Sequence, residues 1–136
     1  MTTDGGGRHH GFILPAVRSI HVVWGQVAVW VNGLVALWGL ILSRRDTVPR
    51  VFYWGVGLAI VSLLFQVING VVLMTVTEVD PGDQHVFYGG VIAATFSFAY
   101  IYRAEFRRRP TLYYGALLLF TMGLGIRGMM TFGLGF

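Results

Sequence analysis

Four apolar runs divide this chain, and each is close to the ~20 residues that a helix needs to cross ~30 Å of hydrocarbon. The runs cover residues 19–43, 51–76, 85–102 and 112–132. With 55% hydrophobic and only 12% charged residues, the chain has too few charges to cover the surface of a soluble domain. We therefore predict an all-α fold, in which residues 18–136 form an up-down bundle of four transmembrane helices. Residues 1–17 are predicted to form a flexible polar segment before it.

The charged residues predict how this bundle is oriented. The loops "SRRDTVPR" and "YRAEFRRRPT" hold seven arginines, whereas the connection "TVTEVDPGDQ" holds three acidic residues and no basic one. The positive-inside rule then places the two arginine loops in the cytoplasm and both termini on the outer side of the cell membrane. Because topology explains the arginines, no nucleic acid is predicted as a partner. The expected partners are the lipid bilayer and either a larger membrane complex or further copies of this chain.

The two halves of the chain resemble each other, which suggests an internal duplication. His21 and His85 are 64 positions apart, and the same shift carries Arg44 and Arg45 onto Arg108 and Arg109. The stretches "FYWG" at 52–55 and "LYYG" at 112–115 match at a shift of 60. These matches predict two helical hairpins of the same orientation, related by an axis along the membrane normal. The two histidines would then lie at equivalent depths on the outer side.

Helical spacing predicts which faces of the runs are buried. Small and polar residues mark contacts between helices in a membrane, because lipid offers them no partner. At 100° per residue, two such stripes appear in the first two runs, and His85 heads a bulkier one in the third. The stripes are His21, Gly25, Ala28, Asn32 and Gly39, then Gly55, Ala59, Ser62, Gln66 and Asn69, then His85, Gly89, Ile92 and Phe96. Both histidines and Gln66 are therefore predicted to point into the bundle.

Two neutral imidazoles at matched depth are typical of a site that holds haem iron from both sides. Gly25 and Gly89, each four residues after a histidine, would leave space for a flat macrocycle. Each histidine alone also fits an interfacial position, where it would bind water or a neighbouring helix. A bacteriochlorophyll, which needs one axial histidine, is a less specific match. A metal ion without a porphyrin would need further ligands, and no carboxylate lies near the histidines within a run.

Arg127 lies several residues inside the outer end of the fourth run, where a charge costs up to ~2.5–3.5 kcal/mol at mid-membrane and less near the surface. It could extend outward or pair with an acidic residue of the 78–83 connection. It could also bind an anionic group such as a haem propionate or a lipid phosphate. Arg18, one turn before His21, is a second candidate for such a contact.

One stretch resembles a known family. The segment "FQVINGVVLMTV" contains Gln66 and a glycine four residues later, and a short acidic turn then leads to "QHVFYGG" with His85. This arrangement resembles one half of the haem A synthase family, in which each half is a four-helix unit that binds haem through paired histidines near the outer face. The resemblance covers residues 18 to about 131. It implies that His21 and His85 are axial iron ligands and that Gln66 is a pocket residue.

The family pattern differs from this chain in two ways. The family has two such halves, and a glutamate linked to its chemistry precedes the first histidine motif, where this chain reads "RSIH". The resemblance therefore implies haem binding without synthase activity.

Two functions follow from these patterns. The first is a small integral membrane protein that binds a b-type haem through two histidines near the outer face, for electron transfer or as a haem-bearing subunit. The second is a cofactor-free accessory or structural subunit of a larger respiratory or photosynthetic complex. The chain has no cysteine, which excludes thiolate metal sites, and no phosphate-binding loop or catalytic triad is recognisable. We predict no catalytic residues, and a protein that is not an enzyme on its own.

Overall fold

The computed structural model describes residues 7–77 and 80–131 of the chain. Within these ranges the chain folds into five helices and no strands, which confirms the all-α class. The helices are α1 (Gly7–Leu42), α2 (Arg50–Thr77), α3 (Asp83–Ile101), α4 (Arg103–Phe106) and α5 (Pro110–Thr131). Residues 1–6 of the predicted N-terminal segment lie outside the described residues.

Three of the helices are long and apolar enough to cross a membrane. These spans are Pro15–Leu42, Arg50–Val76 and Pro110–Thr131, and each matches one of the predicted runs. Helix α3 has 19 residues but opens with Asp83, Gln84 and His85, and it is not among the three. The prediction is therefore confirmed in its coarser form, since three of the four runs form helices that could span a membrane by length and composition.

The helix bounds agree with the predicted runs to within two residues, except at the start of α1. That helix begins at Gly7, well before the predicted start at Ser19, so residues 7–17 are helical. It continues through Pro15. The Ser19 hydroxyl, one turn later, donates a hydrogen bond to the Pro15 carbonyl at 2.8 Å. A proline removes one backbone donor, and membrane helices tolerate this loss. The polarity of the first residues was thus a poor guide to where the helix begins.

The turn between α2 and α3 determines where α3 begins and thus the position of His85 in it. Gly82 has a φ of 82°, a conformation that glycine adopts without the steric cost of a side chain. Its N–H donates to Asp80 Oδ1 at 2.8 Å, and its carbonyl accepts the N–H of His85 at 3.1 Å. His85 therefore lies in the first turn of α3, at the end of the bundle that carries the acidic connection.

The four long helices pack side by side with a clear asymmetry. Helix α1 contacts α2 and α5, and helix α3 contacts α5 and α2. In the described part of the chain, no pair of Cα atoms closer than 8 Å joins α1 to α3. These two helices therefore lie on a diagonal of the bundle. The closest approach is between α1 and α5, where a Cβ added to Gly115 would lie 3.1 Å from the Ala36 carbonyl oxygen and from the Leu40 nitrogen.

A polar side chain joins three helices in the middle of this packing. Asn32 of α1 is fully buried, and its Nδ2 donates to the Ala28 carbonyl at 2.8 Å and to the Ala59 carbonyl of α2 at 3.0 Å. The Thr121 hydroxyl of α5 donates to Asn32 Oδ1 at 3.5 Å. Burial also follows the predicted stripes, since Gly25, Ala28 and Asn32 are all buried. The interior faces of these helices were thus predicted correctly.

Candidate functional site

The structure brings the two predicted histidines together. His21 of α1 and His85 of α3 have ring centroids 6.1 Å apart, with an angle of 62° between the ring planes. Both residues are partly buried. The rings meet across the diagonal of the bundle, although their helices have no direct backbone contact in the described part. The space between α1 and α3 is therefore bridged at this level by two imidazoles.

His85 is held by a backbone carbonyl of the neighbouring helix α5. Its Nδ1 lies 2.8 Å from the Gly128 carbonyl oxygen of α5. Because a carbonyl can only accept, Nδ1 carries the hydrogen, and in the neutral ring Nε2 then has the lone pair. This is the tautomer and the kind of outer hydrogen bond that metal-binding histidines commonly show.

His21 is held by Gln66 of α2. The Gln66 amide nitrogen donates to the His21 carbonyl at 2.8 Å and lies 3.2 Å from His21 Nε2. An amide nitrogen has two hydrogens, so it can satisfy both acceptors at once. Gly70, one turn along α2, makes room for the ring, since a Cβ added there would lie 3.0 Å from His21 Cε1. The sequence motif included this glycine, but its packing role became evident only in the structure.

Three buried polar atoms near His21 have no hydrogen-bond partner within the described residues. They are His21 Nδ1, Gln66 Oε1 and Asn69 Oδ1. Buried polar atoms are nearly always paired, and those left over need an explanation such as a ligand, an ion or a water molecule. The Asn69 side chain nevertheless lies near enough to act on the His21 ring, so Nδ1 and Oδ1 can pair with each other after a small shift, and Gln66 Oε1 is the acceptor left for a water molecule or a ligand.

A cavity of about 1010 Å³ opens beside the two rings and is lined by all four long helices. This volume is at the upper end of the ~300–1,000 Å³ that ligand sites occupy. Six of the seven predicted site residues line it, namely Arg18, His21, Gly25, Gln66, His85 and Gly89. Most of its surface is apolar. The arrangement can therefore hold a large, mainly apolar molecule with a few polar contacts.

The two glycines of the predicted site differ in what surrounds them. A Cβ added to Gly89 would meet no atom within 4 Å, so the space beside it is open. A Cβ added to Gly25 would lie 2.8 Å from Gln66 Nε2, so the Gln66 side chain fills the space that this glycine leaves. Gly25 therefore serves to admit Gln66 beside His21.

Arg127 is the predicted site residue that does not line the cavity. It is exposed, and so are Ala116, Phe120 and Gly123 of the same stripe of α5. Its Nε contacts the Tyr88 hydroxyl at 3.4 Å, and Tyr88 lines the cavity. Of the alternatives given for Arg127, an outward extension fits this exposure, and its contact with an anionic group stays a prediction. Arg18 lines the cavity directly.

The described residues supply two facing imidazoles and no larger cluster of metal ligands. In the described ranges, no group of three or more histidine, cysteine, aspartate or glutamate side chains could hold an ion. Two imidazoles that bind one iron from opposite sides have ring centres about 6 Å apart, at ~2 Å per metal–nitrogen bond plus ~1 Å from each nitrogen to its ring centre. The observed 6.1 Å fits this spacing. The ring separation therefore meets one requirement of a site in which two imidazoles share an iron.

No protein-family model, no curated protein and no solved structure matches this chain.

Proposed function

We propose that this chain is a small integral membrane protein that binds a b-type haem through His21 and His85. The observation that carries the proposal is the 6.1 Å separation of the two rings across a diagonal of the bundle. A bound haem would supply one-electron chemistry, suited to electron transfer or to a haem-bearing subunit of a larger complex. The resemblance to one half of the haem A synthase family supports the same cofactor.

Within this proposal, the two histidines have different roles before binding. His85 presents Nε2 as a lone pair, because Nδ1 donates to the Gly128 carbonyl. His21 Nε2 lies beside the Gln66 amide, which must turn away from the ring before that nitrogen can bind iron. Gln66 donates to the His21 carbonyl from the same amide nitrogen, so in the unbound form it anchors α1 to α2. It is a positioning residue that holds α1 and α2 in register at the site.

The arginines at this end of the bundle would offset acidic groups of the cofactor. Arg18 lines the cavity and is the closer candidate for a haem carboxylate. Arg127 reaches the edge of the cavity through the hydroxyl of Tyr88. We therefore assign Arg18 the direct contact and Arg127 an electrostatic role.

We also propose a multi-pass protein of the cell membrane in which α3 is the fourth span. Both termini would lie on the outer side, and the chain would consist of two duplicated hairpins, α1–α2 and α3–α5. The arginine-rich loops at one end and the acidic connection at the other support this orientation. The site would then lie in the outer half of the membrane.

An absorption spectrum of the full chain, extracted in mild detergent, tests the haem proposal. We expect a Soret band and low-spin features, because two imidazoles fill both axial positions. His21→Ala and His85→Ala should each abolish the low-spin spectrum, while His9→Ala and His10→Ala should leave it unchanged. A colourless preparation that stays colourless after haem is added would contradict the proposal.

The second candidate is a cofactor-free accessory subunit of a respiratory or photosynthetic complex. The hydrogen bonds of Gln66 to His21 favour it, since they satisfy His21 Nε2 with a protein group. On this alternative the histidine variants assemble and remain colourless, as does the parent chain. The same spectra therefore decide between the two functions.

A further inference from the structure

A second cavity lies at the opposite end of the bundle from the histidines. It has a volume of about 560 Å³ and lies between α2 and α3, closed on one side by Tyr114 of α5. Its walls include Ile60 and Leu64 of α2 and Phe96 of α3, so its surface is mainly apolar. From Ala93 to Ile101 the groove follows α3 for about 12 Å, at ~1.5 Å per residue. That length suits a segment of an alkyl chain.

The Arg103 side chain, held in place by Tyr100, lies at one end of this groove. Arg103 lines the cavity, and its Nη1 donates to the Tyr100 carbonyl at 3.1 Å. Its guanidinium carbon also lies 4.8 Å from the centre of the Tyr100 ring, within cation–π distance. A guanidinium has five N–H donors, so the bond to Tyr100 leaves donors for a phosphate. Glu105, the nearest acidic residue in sequence, pairs with Arg108 at 3.2 Å.

This end of the bundle carries an excess of positive charge, which favours binding of an anion. The segment 103–109 holds four arginines against one glutamate, and the 44–50 connection at the same end adds three arginines against one aspartate. Apart from Arg103, the residues that line the groove are uncharged. An occupant with an apolar chain and an anionic head would therefore bury its chain beside Phe96 and place its head at Arg103.

We propose that this groove binds an anionic phospholipid, with one acyl chain between α2 and α3 and the phosphate on Arg103. Basic pockets between membrane helices are known to bind such head groups, and a basic residue near a membrane surface favours anionic lipid about fivefold. The site is separate from the histidines and does not depend on a haem. It would tie α3 to the bilayer at the point where its contact with α2 is open.

Spin-label electron paramagnetic resonance on the full chain in phosphatidylcholine vesicles tests this site. Trace phosphatidylglycerol or phosphatidylcholine, each labelled near the end of one acyl chain, reports the immobilised fraction at the protein. The parent chain should favour phosphatidylglycerol, and Arg103→Gln should lower this preference about fivefold. Arg44→Gln, at the same end but outside the groove, should lower it clearly less, because it removes surface charge without removing the phosphate contact.

A second pair of variants tests the groove itself. Ser97 lines it and is exposed, and within the described ranges its hydroxyl donates to the Ala93 carbonyl of its own helix and to no other group. Ser97→Leu should fill the groove and remove the preference, whereas Ser97→Ala should keep it. Equal binding of the two lipids by the parent chain would overturn the proposal. So would an equal loss in Arg44→Gln, or an unchanged preference in Ser97→Leu, because either would mean diffuse attraction without a site.

Discussion

At the scale of single residues, the candidate site depends on small residues that make room for polar ones. Gly25 admits the Gln66 side chain, and Gly70 admits the ring of His21. Neither glycine is needed for a turn, since both lie inside helices. A glycine in a helix interior costs roughly 0.5–1 kcal/mol relative to alanine. That cost is offset here by the contacts that the larger neighbours make.

Gly70→Ala should therefore destabilise the protein through His21. The new Cβ would lie 3.0 Å from His21 Cε1, and such crowding costs ~1–3 kcal/mol, against a gain of ~0.5–1 kcal/mol in helix propensity. We expect a net loss of about 1 kcal/mol in the free energy of unfolding, measured by reversible unfolding in mixed detergent micelles. Gly57→Ala in the same helix is the control, because its Cβ would meet nothing within 4 Å. If both variants gain stability, Gly70 does not hold His21 in place.

Asn32→Leu should also destabilise the bundle. The substitution removes the hydrogen bond to the Ala59 carbonyl and the contact with Thr121, and hydrogen bonds between membrane helices contribute ~0.6 kcal/mol on average, up to ~1.7. We expect a loss of about 1–2 kcal/mol in the same unfolding assay. Thr95→Val is the control, because the Thr95 hydroxyl bonds only the Val91 carbonyl of its own helix. Equal losses in the two variants would mean that Asn32 acts within α1 alone.

At the scale of helices, α1 and α5 form the closest pair. Their backbones approach at Gly115, and at Gly39, where an added Cβ would lie 2.9 Å from the Thr111 carbonyl oxygen. Close backbone approach through small residues is a common basis of helix association in membranes. Helix α3 packs instead with bulkier side chains, since Ile92 and Phe96 form its buried face. The bundle thus combines a tight helix pair with looser contacts around the second cavity.

Gly115→Ala should separate this pair. The added Cβ would meet two backbone atoms of α1 at 3.1 Å, and a backbone cannot turn aside as a side chain can. We expect a loss of about 1–3 kcal/mol in unfolding free energy. Gly123→Ala, two turns along the same helix, should be neutral or stabilising, because nothing lies within 4 Å of its Cβ. A neutral Gly115→Ala would show that α1 and α5 can shift apart without cost.

The sequence predicted the helices well because their length and apolarity depend on local composition. It also predicted the inward faces of α1 and α2, since small and polar residues recur there at helical spacing. It did not predict that Gly128 would accept from His85 or that Tyr88 would contact Arg127. Such contacts depend on which helices are neighbours and how each is rotated, and a period of 3.6 residues within one helix contains no such information.

At the scale of the whole molecule, charge divides the bundle into two ends. The arginine-rich connections lie at one end, and the acidic connection, the histidines and the larger cavity lie at the other. Antiparallel packing of successive long helices brings the two arginine-rich connections together. The two cavities therefore lie at opposite ends of the bundle, the smaller beside the arginine-rich connections and the larger beside the acidic connection, Arg18 and Arg127.

Single cysteines can test the orientation, because the chain has none of its own. In intact cells, a membrane-impermeant maleimide should label Asp80→Cys, and it should label Thr47→Cys only after permeabilisation. Glu105→Cys reports whether α3 crosses the membrane: we expect it to behave like Thr47→Cys. Labelling of Glu105→Cys from outside, with Asp80→Cys also labelled, would mean that α3 does not span. The reverse pattern at Asp80 and Thr47 would move the histidines to the cytoplasmic side.

The diagonal placement of α1 and α3 has a thermodynamic consequence. Their backbones make no direct contact in the described part of the chain. A ligand bound by both His21 and His85 would therefore connect the two helices. Any ligand that binds the folded form alone stabilises it by linkage, by ~2.7 kcal/mol at a concentration 100 times its dissociation constant. Loss of this ligand would allow α1 and α3 to separate first, while the closely packed α1–α5 pair stayed together. The free energy of unfolding would then increase with the fraction of molecules that hold a ligand at the two histidines.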